Sequence, residues 1–355
     1  MGTAHSNRII RGEIPGMKLA AVCDVAPNLQ TRFPDQVVFS DPEEMFRSGA
    51  IDAVIIATPH YSHTTLGVGA LTAGLHVLVE KPISVHKADC ERLLAAPRKP
   101  GQLFGAMFNM RTRPVYRKLK QLMDAGELGE IRRIHWTITD WFRTKAYYDS
   151  GSWRGTWAGE GGGVLLNQCP HQLDLWQWLF GMPKRIYARC ILGRYHDIEV
   201  EDDVTAMLEY EGGKTGVFTT STGEAPGTNR LEIAGEMGRI VVENEQIQFL
   251  RNEVGMTEYG TNIAKGMSER PPVWKIEIPV PEKEGQEHAE ITRNFSDAIL
   301  KGVPLVAPAE EGINSVEIGN AILLSSLLDK AIDIPMDSAV YEKELQKLIE
   351  KGKKL

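Results

Sequence analysis

The stretch Val77-Leu78-Val79-Glu80-Lys81-Pro82 is a short apolar run that ends in an acid, a base and a proline. A β-branched run of this length is typical of a buried parallel strand, and charges at its carboxyl end lie where open α/β sheets bind ligands. Because proline cannot continue a central ladder, the strand is expected to end before Pro82. The stretch predicts that Glu80 and Lys81 face a crevice, with a solvated surface pair as the alternative.

Runs of similar character flank this strand and alternate with helical segments. Strands are predicted over residues 17–24, 51–59 and 103–108, and helices over residues 64–74 and 85–96. Strands that alternate with helices at this spacing predict a Rossmann-type, doubly wound parallel sheet. The carboxyl ends of parallel strands meet at one edge, so Asp24, Thr58-Pro59 and Glu80-Lys81 are expected to line it.

The amino-terminal residues resemble the second half of a dinucleotide fingerprint. In G-x-G-x-x-G the third glycine begins a helix, and an acid about 20 residues later binds the ribose hydroxyls. Gly2 and Asp24 have this spacing, and a carboxylate at Asp24 favours NAD over NADP because it repels a 2′-phosphate. No strand and no earlier glycines precede Gly2, so we expect the unit to lack its first strand. A wrong start site, a truncated chain and a differently built site are the alternatives.

The second half of the sequence predicts an α+β domain with a large, open, mostly antiparallel sheet. A β-rich run over residues 131–141 is followed by several strand runs between residues 185 and 243, separated by glycine turns. Helical spacing then covers residues 287–300 and 310–332. We divide the chain into an incomplete Rossmann domain (1–112), a substrate and oligomerisation domain (113–330) and a terminal segment (331–355) that packs back or frays.

Composition excludes several classes of partner. The formal charge of −7 argues against nucleic acid and anionic membrane as partners, and no apolar segment is long enough to span a bilayer. The four cysteines have neither C-x-x-C spacing nor the density of a disulfide scaffold, which favours the cytoplasm. The histidines lack the spacing of a metal site, so no metal is predicted.

A triple glycine and a proline mark a second functional segment. Gly161-Gly162-Gly163 indicates positive φ or close backbone approach, and Pro170 suits the first position of a helix. His171 would then lie in the first helical turn, where the positive helix end disfavours imidazolium and leaves a neutral ring that can accept a proton. The alternative is a histidine that donates to a backbone carbonyl in a domain interface.

Four motifs together carry a family resemblance. They are Ala57-Thr58-Pro59-x-x-x-His63, Glu80-Lys81-Pro82, Trp153-Arg154, and Gly161-Gly162-Gly163-x-x-x-Asn167-x-x-x-His171-x-x-Asp174. In this order they resemble the glucose–fructose oxidoreductase / inositol dehydrogenase / MocA family, from Gly2 to about residue 330. The resemblance implies an amino-terminal Rossmann domain that binds NAD or NADP, a carboxyl-terminal domain with an open mixed sheet, and redox chemistry on sugar or polyol carbons.

The resemblance also implies catalytic roles. In the family a lysine at the position of Lys81, an aspartate at that of Asn167 and a histidine at that of His171 meet beside the nicotinamide. His171 would take the proton of a substrate hydroxyl, and Lys81 would stabilise the charge on its oxygen. Asn167 departs from the family, because an amide can donate a hydrogen bond but cannot relay a proton as an acid does.

The remaining site predictions form two sets. The cofactor-binding set is Gly2, Asp24, Thr58, Pro59, His60, His63, Glu80, Lys81, Asn109 and Arg154. The substrate-binding set is Lys81, Tyr148, Trp153, Asn167 and His171. Tyr147, Tyr148 and Trp157 are candidate platforms for sugar faces, with core packing as the alternative. Asp174 would orient His171 or Lys81, or stabilise its helix, and Cys169 is expected to be a buried spectator thiol.

These observations predict an NAD-dependent oxidoreductase that acts on a secondary hydroxyl of a sugar, glycoside or cyclic polyol. A glycosidase of the same family that uses NAD is one alternative. A non-catalytic regulatory protein that binds NAD and sugar is another, suggested by Asn167 and the missing first strand. The broad sheet predicts a homodimer or homotetramer, because its open face must be covered.

Overall fold

The computed structural model describes residues 1–282 and 286–352. Its amino-terminal part alternates short helices and strands. The elements are α1 (Gly2–Ile10), β1 (Ala21–Cys23), α2 (Leu29–Arg32), β2 (Val37–Phe39), α3 (Pro42–Arg47), β3 (Ala53–Ile56), α4 (Ser62–Ala73), β4 (His76–Val79), α5 (Lys87–Leu94) and β5 (Phe104–Ala106). All their strand pairs are parallel, which confirms the Rossmann-type prediction.

The parallel strands form two separate groups. β1 pairs with β2, and β3, β4 and β5 pair in that order, but no hydrogen-bonded pair joins β1 to β3 within residues 1–282 and 286–352. In the Rossmann order 3-2-1-4-5-6, these groups correspond to strands 3-2 and 4-5-6. The position between them is that of the first strand, which the sequence was expected to lack. The side chains of β1 and most of those of β3 are accordingly half-buried.

Strand β4 is the most deeply buried of this sheet. Val77, Leu78 and Val79 are fully buried, because β4 pairs on both sides and helices cover its faces. α4 ends at Gly74 in the left-handed region (φ 90°), which turns the chain directly into β4. The strand stops at Val79, so the side chains of Glu80 and Lys81 follow at its carboxyl end.

The rest of the described chain contributes a nine-stranded sheet and further helices. The elements are α6 (Pro114–Asp124), β6 (Ile131–Ile138), α7 (Lys145–Asp149), α8 (Pro170–Phe180), β7 (Arg185–Leu192), β8 (Glu201–Glu209), β9 (Thr215–Ser221), β10 (Asn229–Gly235), β11 (Gly238–Glu243), β12 (Gln246–Asn252), α9 (Met256–Glu258), β13 (Val273–Ile278), α10 (Glu287–Lys301), α11 (Ala309–Leu328), β14 (Ile332–Asp333) and α12 (Ser338–Gly352).

The strand order is β13-β12-β11-β10-β6-β9-β8-β7-β14, and every pair except β6–β9 is antiparallel. This confirms the predicted large, mostly antiparallel sheet. One face packs against α8 and α11 over a core in which the rings of Trp136 and Trp176 stack with centroids 6.5 Å apart. On the other face Tyr187 and Met207 lie opposite each other and are 50% and 44% exposed.

Helix α11 connects the β3-β4-β5 sheet to the nine-stranded sheet, since it packs on α5 and β5 as well as on α8 and β7. The buried Nζ of Lys87 in α5 lies 2.8 Å from Oε1 of Glu317 in α11 and donates to the carbonyl of Met336 at 2.7 Å. The predicted helix over 310–332 was too long at its end, because Asp329 adopts a left-handed conformation (φ 49°) that stops α11 at Leu328. Within the described residues, no helix combines the length and apolarity needed to cross a bilayer.

Candidate active site

Lys81 reaches from the parallel sheet to the loop that precedes α8. Its Nζ donates a hydrogen bond to the backbone carbonyl of Asn167 at 2.8 Å, across 86 residues of sequence. Burial lowers the pKa of Lys81, although the neighbouring Glu80 opposes the shift. The predicted catalytic residues Lys81 and Asn167 are therefore neighbours, and the lysine ammonium is poised at the junction of the two sheets.

The loop that carries Asn167 is held by close backbone contacts. Gly161 has φ 79°, and a Cβ on Gly163 would lie 2.0 Å from the carbonyl oxygen of Glu201. The buried carboxylate of Glu201 accepts hydrogen bonds from the amides of Gly163 and Leu165 at 2.9 and 3.0 Å. The glycine run thus meets both conditions that its sequence indicated, and α8 begins at Pro170, as predicted.

His171 lies in the first turn of α8, as its sequence position predicted. Its Nδ1 is buried without a hydrogen-bond partner in the described part of the chain, and the edge of its ring faces Phe108 with centroids 6.3 Å apart. Burial, and then the charge of Lys81, lower the pKa of His171 well below its usual value. The ring is neutral, as expected, but burial rather than the helix end is the main cause.

A carboxyl group that the sequence interpretation missed lies beside Asn167. The Nδ2 of Asn167 donates to Oε1 of the buried Glu160, whose Oε2 accepts from the amide of Gly155 at 2.7 Å. Burial raises the pKa of Glu160. The amide that replaces the family aspartate is therefore in direct contact with an acid. The only sequence signal was that Glu160 immediately precedes the glycine run.

Tyr147 lies at the centre of a polar group next to Asn167. Its hydroxyl oxygen accepts from Arg154 Nη1 at 2.7 Å, and from Asn167 Nδ2 and Gln168 Nε2 at 3.1 Å each. The guanidinium groups of Arg143 and Arg154 lie 4.9 and 4.3 Å from the centre of its ring. Tyr147 was predicted as an aromatic platform, whereas Arg143 was not predicted at all.

Glu80 is directed towards helix α1. Its Oε1 lies 2.8 Å from Nε2 of His5, and both side chains are buried. Burial by itself would raise the pKa of Glu80, but the hydrogen bond from His5 and the charges of His5, Lys81 and His288 outweigh it and lower the value. Glu80 therefore ties α1 to β4, which leaves Lys81 as the charged residue of this pair that reaches the loop.

The two histidines that follow Thr58-Pro59, His60 and His63, have different hydrogen-bond partners. Both ring nitrogens of the fully buried His63 face backbone carbonyls, of Pro82 at 2.8 Å and of Thr58 at 2.9 Å. This burial speaks against the predicted contact between His63 and a cofactor. His60 Nδ1 lies 3.2 Å from the carbonyl of Glu160, and burial lowers the pKa of His60 to about 3.

The other predicted cofactor residues lie at strand ends of the parallel sheet. Asp24 and Thr58-Pro59 are exposed just after β1 and β3, and Gly2 begins α1 next to Ala57, whose Cβ is 3.8 Å from the position of a Gly2 Cβ. The Oδ1 of Asn109, after β5, is buried without a donor among the described residues. The strand-end acid and this unpaired acceptor fit a dinucleotide laid along the edge.

Asp174 has a different partner from the two that were predicted. Its carboxylate accepts two hydrogen bonds from Arg111, from Nε at 2.8 Å and from Nη2 at 2.6 Å. Each side chain is 1% exposed. The sequence offered no signal for this pair, because Arg111 follows the short strand β5 and meets α8 only after folding. Asp174 therefore anchors α8 instead of orienting His171 or Lys81.

The remaining predicted residues divide between surface and core. Trp153 is exposed and stacks on Arg154 at 4.3 Å, and the hydroxyl of Tyr148 bonds Thr222 at 3.2 Å. Trp157 is buried, which fits core packing, the alternative to an open sugar platform. Cys169 Sγ lies 3.0 Å from Thr220 Oγ1, and burial raises the pKa of Cys169 to about 12, in keeping with a spectator thiol.

The Rossmann-type unit, the large mixed sheet and the lysine between them define the architecture of NAD-binding oxidoreductases. The same fold occurs in the WlbA dehydrogenase from Bordetella pertussis in complex with NADH and UDP-GlcNAcA, with a TM-score of 0.77 and 23% identity over 95% of this chain and 96% of that one. Levoglucosan dehydrogenase in complex with NADH has a TM-score of 0.77 and 20% identity over 95% and 97%.

Two family models match the sequence, one described as an oxidoreductase family with an NAD-binding Rossmann fold (residues 1–108) and one as the GFO/IDH/MocA C-terminal domain (residues 116–241). The chain belongs to the GFO/IDH/MocA oxidoreductase family. It is 31% identical over 213 residues to 1-carboxy-3-chloro-3,4-dihydroxycyclohexa-1,5-diene dehydrogenase of Comamonas testosteroni, a match that covers 58% of this chain and 52% of that protein. It is 28% identical over 240 residues to trans-1,2-dihydrobenzene-1,2-diol dehydrogenase of Bos taurus, covering 64% and 68%.

Proposed function

We propose that this protein transfers a hydride between NAD and a secondary hydroxyl or ketone carbon of a sugar, glycoside or cyclic polyol. The observation that carries the proposal is the contact of Lys81 Nζ with the Asn167 loop, at the carboxyl end of β4 and near a neutral His171. The names of two relatives support it, since one is a trans-1,2-dihydrobenzene-1,2-diol dehydrogenase and the other a myo-inositol 2-dehydrogenase.

The cofactor supplies the hydride acceptor or donor when it is bound. Asp24 would hold a ribose, and its negative charge favours NAD over NADP. Lys81 and Asn109 would lie towards the nicotinamide end of the edge, since both follow neighbouring strands of the β3-β4-β5 group. Thr58, Pro59, His60 and Arg154 complete the proposed cofactor set, to which Gly2 contributes the start of α1.

The residues of this chain then divide the proton chemistry among them. His171, neutral because it is buried, accepts the proton of the substrate hydroxyl. Lys81 stabilises the negative charge that develops on that oxygen, which counts for more in a site shielded from water. Asn167 cannot take a proton, so its amide positions a hydroxyl while Glu160 holds the amide in place.

The first test is a titration of the full chain with NADH, followed by nucleotide fluorescence, and then a panel of sugars and polyols with NAD. His171→Ala should lower kcat by about 10²- to 10⁴-fold, because a positioned general base contributes that much. Its affinity for NADH should stay within about threefold. The matched control is His135→Ala, since His135 is exposed on β6 at the open face of the sheet. Unchanged turnover in His171→Ala would contradict the role of this residue as base.

We also propose the organisation that surrounds this site. Residues 1–112 would form the NAD-binding unit and residues 113–330 the substrate and oligomerisation unit, with residues 331–352 of the terminal segment packed back on them. Residues 353–355 of that segment lie outside the described residues. The exposed pair Tyr187 and Met207 supports a homodimer or homotetramer through the open sheet face. Sedimentation velocity on Met207→Glu tests this, since the charge should dissociate such an assembly. The free cysteines support a cytoplasmic location.

A further inference from the structure

Arg143 lies at the rim of the site in a fixed orientation. Its backbone amide donates to the carbonyl of Thr222 at 2.9 Å, and its own carbonyl faces Nε2 of His196 at 3.0 Å. The guanidinium lies near two aromatic rings, 5.5 Å from the centre of Trp141 and 4.9 Å from that of Tyr147. Stacked contacts of this kind restrict a planar guanidinium, so its hydrogen-bonding edge points in a defined direction.

This charge has no counter-ion in the described protein. No carboxylate of residues 1–282 or 286–352 lies within 4.0 Å of an Arg143 nitrogen, although most other arginines here have such a partner. Only Nη1 makes a hydrogen bond, to the adjacent carbonyl of Phe142 at 3.1 Å. Nε is buried and finds no acceptor in the same residues. Buried donors are normally paired, so an unpaired one marks a place for an acceptor.

Arg111 of the same protein shows which group can bind the Nε and Nη2 side of a guanidinium. Arg111 uses Nε and Nη2, the pair of nitrogens on one side of the guanidinium, to hold both oxygens of Asp174. In Arg143 this same pair of nitrogens makes no hydrogen bond to the described residues. A flat group with two oxygens at carboxylate spacing matches two parallel N–H donors better than a single hydroxyl does.

Arg143 adjoins the candidate active site through Tyr147. Arg143 lies against the ring of Tyr147, the hydroxyl of Tyr147 accepts from Asn167, and the Asn167 carbonyl accepts from Lys81. Arg154 lies over the same ring, so two guanidinium groups and one ammonium surround this corner. The nearby acid, Glu160, is already bonded to Gly155 and Asn167 and lies 4.0 Å from Arg154 Nη1, so it offsets only one of these three cations. The unbalanced charge at this corner is therefore positive.

We propose that Arg143 binds a carboxylate of the substrate, and that the substrate is a hydroxylated ring that carries an acid group, such as a sugar acid. The carboxylate pairs with Nε and Nη2 of Arg143, while a ring hydroxyl is presented to Lys81 and His171. This inference rests on the proposed oxidoreductase function, because it names the class of substrate that enters the same site.

The test compares sugars that differ only in the acid group. D-glucuronate is paired with D-glucose, and D-galacturonate with D-galactose, and each is titrated into the NADH complex of the full chain by calorimetry. We expect at least one acid to bind about ten to a hundred times more tightly than its neutral partner, the range for a charge-assisted bidentate pair. Arg143→Met should bring that ratio close to one, and Arg143→Lys should restore part of it.

Arg189→Met is the control, because Arg189 is exposed on the outer face of β7 and should leave the ratio unchanged. Equal affinities for acid and neutral sugars in the unmodified protein would overturn the inference, and so would a ratio that survives in Arg143→Met. Tighter binding of a sugar phosphate than of either acid would also overturn it. If NADH binds but no sugar is oxidised, the proposed function fails, while the binding ratio still decides the role of Arg143.

Discussion

The buried pair between Arg111 and Asp174 gives a prediction about stability that also tests the role of Asp174. The change is Asp174→Ala, which removes both acceptors of Arg111 Nε and Nη2. Because both side chains are only 1% exposed, the arginine would keep its charge in an interior that cannot hydrate it. Its remaining hydrogen bonds are to the carbonyl of Val306 at 3.2 Å and to Glu311 at 2.6 Å, a residue at the surface.

The size of the effect follows from this burial. Removing one partner of a buried ion pair typically costs about 3–5 kcal/mol in the free energy of unfolding. The matched control is the exposed pair Lys301–Asp297, whose side chains are 65% and 40% exposed at 2.8 Å. Asp297→Ala should cost less than about 1 kcal/mol, because water screens that pair. The double variant Arg111→Met/Asp174→Leu should be more stable than Asp174→Ala, since it leaves no buried charge behind.

Urea unfolding followed by tryptophan fluorescence measures the unmodified protein, Asp174→Ala, Asp297→Ala, the single variants Arg111→Met and Asp174→Leu, and their double variant. Activity is measured in parallel at a urea concentration of zero, where Asp174→Ala is still folded. Because Asp174 anchors α8 through Arg111, turnover per folded molecule should stay within about threefold, unlike that of His171→Ala. A cost below about 1 kcal/mol for Asp174→Ala, or a double variant whose cost equals the sum of the two single costs, would refute the account of a buried, mutually dependent pair.

Two shorter predictions concern the neighbouring residues. Asn167→Asp would place a second carboxyl group against buried Glu160, so this variant should lose more stability relative to the unmodified protein at pH 8 than at pH 5. Thermal unfolding measures both losses, and equal losses at the two pH values would contradict this prediction. His60 has a folded pKa of about 3, so the unfolded chain takes up a proton below about pH 6.5 that the folded one does not. As the pH falls from about 6.5 towards 3, the contribution of His60 to the free energy of unfolding should therefore decrease by ~1.4 kcal/mol per pH unit. In His60→Gln, measured by urea unfolding, the free energy of unfolding should change less steeply with pH.

Several features could be predicted because their signals lie within a few residues of sequence. The run Val77-Leu78-Val79 predicted a buried strand, and the charged pair after it predicted a site, since strand burial depends on local side-chain pattern. The triple glycine at 161–163 predicted close approach because only glycine lacks a Cβ, and Pro170 predicted the start of α8. The motifs of the family predicted the two-part fold, which the family models and solved structures confirm.

Other features depended on which distant segments meet. The partners of Glu80 and Lys81, His5 and the Asn167 carbonyl, lie 75 and 86 residues away in the sequence. No local pattern specifies such partners, because they are chosen by how the helices pack on the two sheets. The pairing of Asp174 with Arg111 was missed for this reason.

The sequence by itself determined where strands, turns and helix starts fall and which charged residues stand at strand ends, because sterics and hydrophobic periodicity act over short distances. Only the tertiary structure decided which of those residues are exposed to a substrate and which are buried partners. It turned His63 and Trp157 inward, placed Glu160 against Asn167, and left the edge of Arg143 without an acceptor. Burial and charge balance are properties of the assembled core, and they appear only when distant segments exclude water together.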